Sequence, residues 1–127
     1  MGMIRTRLAP FSNEILRWSY ERIAEICQEN GIHPVWLYLP VTDQVLDRQD
    51  PEYQALKGMA KKAGFSTLTL DDPYNGHPQQ DVALAAWDEH PNVLGHQLIA
   101  DKLYTVFLEN SEKILGAANQ PLVQSTH

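Results

Sequence analysis

The run HPVWLYLPV, residues 33–41, constrains the fold more than any other stretch. It is almost unbroken in apolar residues. A strand with one wet face alternates apolar and polar side chains, and this one does not. It therefore predicts a strand covered on both faces, as in parallel sheets. Pro40 marks its end, because proline cannot donate to a sheet ladder. A parallel partner needs a crossover, usually a helix, and the next residues supply one. Asp50-Pro51 reads as a helix start, with Asp as cap and Pro in the first turn. Tyr53, Leu56, Met59, Ala60 and Ala63 give its buried stripe, and Gly64 closes it. FSTLTL, residues 65–70, sets Phe65, Thr67 and Thr69 against Ser66, Leu68 and Leu70 as a second strand. Strand, helix and strand with short joints predict a right-handed parallel crossover unit.

The flanks are helical. Residues 1–11 read as irregular, and Ser12 is the expected N-cap of a helix reaching about Asn30. Leu16, Tyr20, Ile23 and Cys27 form its stripe, widened by Ile15, Trp18 and Ile26, and Gly31 suits the left-handed position that ends it. Residues 71–80, DDPYNGHPQQ, read as a loop in which Asp71 and Asp72 serve the turn before Pro73. A short helical turn is expected around Val82 to Ala86. A final helix starts at Pro91 or Asn92 and runs to about Glu109, with Leu98, Ile99, Leu103, Val106 and Phe107 as its stripe. Residues 110–127 show little periodicity and read as a flexible tail.

This leaves a deficit. Two parallel strands and three helices do not make a stable sheet, and a doubly covered strand wants a neighbour on each side. The chain is thus expected to be the C-terminal portion of a larger α/β domain. The alternative is a non-catalytic α/β interaction module whose exposed sheet edge pairs with a partner or with itself.

Composition removes other classes. The formal charge is −6, with no cluster of Lys or Arg, which argues against nucleic-acid partners and anionic membrane surfaces. No apolar run has the length of a membrane span, and MGMIRTRLAPF lacks the apolar core of a signal peptide. A single cysteine, Cys27, excludes an internal disulfide and reads as a small core residue.

The chemistry gathers in WDEHPNVLGH, residues 87–96. Pro91 keeps His90 out of the helix, in the loop where ligands collect in open parallel sheets. An imidazole suits proton transfer near neutrality. It needs an orienter on its other ring nitrogen, and Asp88, two residues away, is in reach. His96 would not share a helical face with His90, which disfavours a joint metal site, and it reads as a structural hydrogen-bonding residue. A zinc site using the loop's His77 has no supporting spacing. Trp36 and Tyr38 read as strand core, and Trp87 as either a pocket wall or a packing residue.

The pattern D-x-H-P-N-x-x-G-H, followed by an aliphatic pair and a helix, resembles the last block of the SGNH (GDSL-type) esterase and lipase family. The order of elements over residues 12–108 is similar too. The resemblance implies a flavodoxin-like three-layer α/β/α fold with a parallel sheet, its N-terminal half missing, with residues 1–109 as the C-terminal part of the domain. It implies ester hydrolysis by a Ser-His-Asp triad without a cofactor, in which His90 is the general base and Asp88 its orienter. The substrate would be a small-molecule or acylated-carbohydrate ester. The family's Gly-Asp-Ser nucleophile block does not occur in these 127 residues, nor do its oxyanion-hole glycine and asparagine blocks. The family's usual acid lies three residues before the histidine, where this chain has Trp87. A triad acts as a unit, so the chain alone is expected to be inactive or nearly so.

Overall fold

The computed structural model describes residues 9–118. A 3-10 turn, Ala9–Phe11, leads into helix α1, Ser12–Glu29. Ser12 is the first helical residue rather than the cap. Phe11 occupies the cap position, with no side-chain capping bond. The chain reverses through Gly31, at φ 66, into strand β1, Val35–Tyr38. Helix α2, Pro51–Ala63, begins as expected: the Asp50 carboxylate accepts the Tyr53 N–H, proline occupies the first turn, and Gly64 ends the helix in the left-handed region. Strand β2, Ser66–Thr69, follows.

β1 and β2 pair in parallel, with Val35 opposite Ser66 and Tyr38 opposite Thr69. Side chains alternate across a strand, so Trp36, Tyr38, Thr67 and Thr69 share one face. α1 and α2 cover it. The Trp36 indole N–H donates to the Tyr20 hydroxyl at 2.9 Å. The Tyr53 ring meets Tyr38 edge-on at 4.9 Å, and its hydroxyl bonds Thr69 Oγ1 at 2.8 Å.

The other face is only half covered. Leu68 and Leu70 are buried, yet Val35, Leu37 and Leu39 remain 37%, 37% and 40% exposed. The strand predicted to be covered on both faces is therefore covered on one among the described residues. Its second edge has no paired strand there. Ile15, Trp18 and Ile26 on α1 are exposed as well. Large contiguous apolar patches are rare on self-sufficient monomers.

Beyond β2 the expected helical turn at Val82–Ala86 is displaced. A short helix α3, Gln79–Val82, gives way to strand β3, Ala83–Ala85, which pairs antiparallel with strand β4, Asp88–Pro91. Helix α4, Val93–Glu109, closes the unit. Residues 111–118, read from sequence as part of a flexible tail, form helix α5, Ser111–Ala118. Ile114 is buried, and that single anchor gave the sequence no visible period. The rest of the expected tail lies outside the described residues. The architecture is mixed α/β with a small parallel sheet. No helix among the described residues is long and apolar enough to cross a membrane.

Candidate functional site

His90 and Asp88 stand on β4, not on the irregular loop that the sequence implied. The distinction matters, because residues i and i+2 of a strand point to one side. The two-residue spacing therefore puts the carboxylate and the imidazole together, where an acid three residues back would face away. Asp88 Oδ1 accepts the His90 main-chain N–H at 3.1 Å and lies 2.5 Å from His90 Nδ1. An ionised carboxylate only accepts hydrogen bonds, so Nδ1 carries the proton, and in its neutral form the ring presents a bare Nε2. The His90 side chain is 84% exposed, and Nε2 has no partner among the described residues.

Hydrogen bonds from the His90 ring, then from its main-chain N–H, hold the Asp88 carboxyl below its ordinary range. A depressed carboxylate stabilises the folded state above its unfolded pKa. That contribution disappears as the pH falls through the folded value, so the pair persists throughout the neutral range.

The hairpin is tied to the sheet. The buried Thr42 hydroxyl donates to the Glu89 carbonyl at 2.9 Å. The Tyr74 hydroxyl donates to the Pro40 carbonyl at 3.3 Å, and burial pushes its phenol pKa up. Residues 39–41 follow β1, and Tyr74 lies in the loop after β2, so both anchors sit beyond the C-terminal ends of the parallel strands. Between them and the hairpin opens a cleft of about 430 Å³, walled by Leu39, Val41, Tyr74 and Trp87, with Asp88 and His90 at its side. This is where ligands collect in open parallel sheets.

The Pro-Asn-x-x-Gly part of the block has a positional role. Asn92 caps α4 by accepting the Gly95 N–H at 2.9 Å. Its amide also donates to the carbonyls of Asp81 and Ala83, at 2.8 and 3.1 Å, and its main-chain N–H reaches the Val82 carbonyl at 2.7 Å. One side chain thus locks α3, β3 and α4 around the strand that carries His90. Gly95 lets α4 press against α3, since a Cβ there would lie 2.6 Å from the Val82 carbonyl oxygen and 2.8 Å from Pro91 Cβ. Gly95→Ala is expected to lower unfolding stability by about 1–3 kcal/mol, the usual cost of overpacking. Urea denaturation measures it, and an unchanged midpoint would show that the backbone yields freely.

Other candidates fall elsewhere. His96 is exposed in the first turn of α4, with no side-chain hydrogen bond described, so the structure gives no support to its reading as a hydrogen-bonding residue. His77 is exposed in the loop, and no cluster of three or more potential metal ligands occurs among the described residues. Asp72 does serve its turn, accepting the Gly76 N–H from a backbone at φ 41. Asp71 does not. It forms a two-pronged ion pair with Arg48, and the hydrogen bond to the Asp71 carboxylate and then its charge raise the guanidinium pKa. Both side chains are about half exposed, so solvent screens the pair. Cys27 is half-buried. Sequence reasoning missed the roles of Asn92, Gly95, Thr42 and Arg48. Only Asn-x-x-Gly ahead of a helix carried a readable signal, that of a cap.

Comparison of the chain with protein-family models, curated proteins and solved structures returned no match.

Proposed function

We propose that this unit is the C-terminal part of an SGNH (GDSL-type) serine hydrolase acting on ester bonds. The observation that carries the reading is the 2.5 Å contact between His90 Nδ1 and Asp88 Oδ1, beside a cleft at the ends of parallel strands. It leaves Nε2 free to work. In this mechanism a serine outside the chain attacks the ester carbonyl while Nε2 takes its proton. The Asp88 carboxylate stabilises the imidazolium without itself becoming protonated. The imidazolium then gives that proton to the departing alcohol. Water, deprotonated by the same nitrogen, releases the acid and restores the serine. The bare edge of β1 and its exposed Val35, Leu37 and Leu39 supply the surface on which the remaining strands would pair. The test is turnover of a chromogenic ester by a polypeptide that joins this unit to a Gly-Asp-Ser segment. Hydrolysis that depends on His90 supports the reading, and hydrolysis indifferent to it removes His90 as the base.

The same bare edge also favours a second reading, a non-catalytic module pairing β1 with a second copy. A discrete dimer of the chain on sizing would support it, and a monomer would dismiss it.

A further inference from the structure

We infer that the free edge of β2 is a docking strand for an extended acidic segment of a partner protein. The inference stands apart from the hydrolase reading, which uses the opposite edge, that of β1. β2 pairs only with β1 among the described residues. Ser66 and Leu70 donate their main-chain N–H groups inward, to the Pro34 and Tyr38 carbonyls. Direction alternates along a strand, so the N–H and C=O groups of Thr67 and Thr69 point outward. An edge of this kind is a template for another strand.

The groove along that edge selects the strand by charge. Thr67, Leu68 and Thr69 line it together with Lys57 of α2 and Lys102 of α4. Both lysines are half-buried, and neither has an ion-pair partner among the described residues. Lysine is seldom buried without one. The Lys57 ammonium lies 5.6 Å from the Tyr53 ring centroid, a contact that leaves its charge unneutralised. Arg48 lines the groove as well, held by Asp71, and Glu109 is exposed at its rim. In a chain of formal charge −6, the groove is a local cationic strip. A free inorganic anion would meet the lysines and the outward N–H groups, but it is chiefly an acceptor and leaves the Thr67 and Thr69 carbonyls unserved. A peptide backbone supplies both donors and acceptors. Neighbouring side chains leave an extended strand on opposite faces, so two adjacent acidic residues meet two lysines carried on different helices. A neutral or basic strand would desolvate or repel the ammonium groups instead.

The intact chain is titrated with acetyl-Thr-Val-Asp-Glu-Val-Thr-amide, with the same peptide carrying lysine in place of both acids, with its backbone N-methylated form, and with inorganic phosphate. NMR follows the Thr67 and Thr69 amide resonances and their hydrogen exchange. The acidic peptide is expected to shift both resonances saturably and to slow their exchange, and the lysine peptide to do neither. N-methylation should weaken binding about tenfold or more. Lys57→Glu and Lys102→Glu should each weaken it about three- to tenfold, with amide dispersion reporting that each variant stays folded. Lys102 is not described against the Tyr53 ring, so its variant carries the test if Lys57→Glu disturbs the core. No saturable shift with the acidic peptide, or equal binding of the lysine peptide, would overturn the inference. So would binding of phosphate alone, which marks a plain anion site, or shifts of the two amides on raising the protein concentration alone, which mark a second copy as the occupant.

Discussion

His90→Ala is expected to lower kcat/KM for a chromogenic ester at least on the order of 10⁴-fold in a polypeptide that carries this unit together with its nucleophile. The loss should fall on kcat, because proton transfer from serine is a property of the transition state and not of substrate binding. Asp88→Asn should cost less than removal of the ring. It keeps a hydrogen-bonding group at Nδ1, but its amide can stabilise the wrong tautomer and brings no charge to the imidazolium. His90→Ala should not unfold the chain, since His90 is 84% exposed and exposed sites tolerate change. Steady-state kinetics beside a thermal unfolding scan separate the two effects. Activity lost together with folding would not count in favour of the pair.

Tyr53→Ala is the substitution expected to damage the fold most. Tyr53 is 1% exposed, and its ring seals the Tyr38 face of the sheet at 4.9 Å. Lys57 Nζ lies 5.6 Å from the ring centroid. Replacing a buried aromatic by alanine costs about 3–5 kcal/mol, against a total of about 5–15 kcal/mol for an ordinary domain. The half-bare sheet leaves little reserve, so the variant is expected to be largely unfolded at 37 °C. Tyr53→Phe keeps the ring and removes only the bond to Thr69 Oγ1, worth about 1 kcal/mol. Circular dichroism under urea distinguishes the two. Equal midpoints for both would mean that the hydroxyl, not the ring, holds α2 to the sheet.

The elements bounded by strong local signals were legible from the residues alone. Asp50-Pro51 and Gly64 bracket α2 through bonds made within a few residues. Alternation in FSTLTL marks β2 with Leu68 and Leu70 inward. The apolar run at 33–41 predicts a strand covered on both faces, yet Val35, Leu37 and Leu39 stay exposed. Its composition records what a strand is suited to meet, not what the described residues bring to it. His90 and Asp88 were legible as a pair, but their geometry was not. β4 exists because β3 pairs with it across a turn at Ala86-Trp87, a nonlocal fact in a stretch without strand periodicity. Asn92 was readable as a cap. Its reach to the carbonyls of Asp81 and Ala83 depends on where α3 ends. The Arg48–Asp71 pair spans 23 residues, and no local pattern announces such a contact.

The central claim is that Asp88 fixes the proton on Nδ1 of His90 and leaves Nε2 as the base. Nitrogen-15 NMR of the neutral imidazole tests this directly. The ring is expected mainly in the Nδ1–H form, reverting toward the Nε2–H form of free histidine in Asp88→Ala. A ring that carries its proton on Nε2 in the unaltered protein would contradict it.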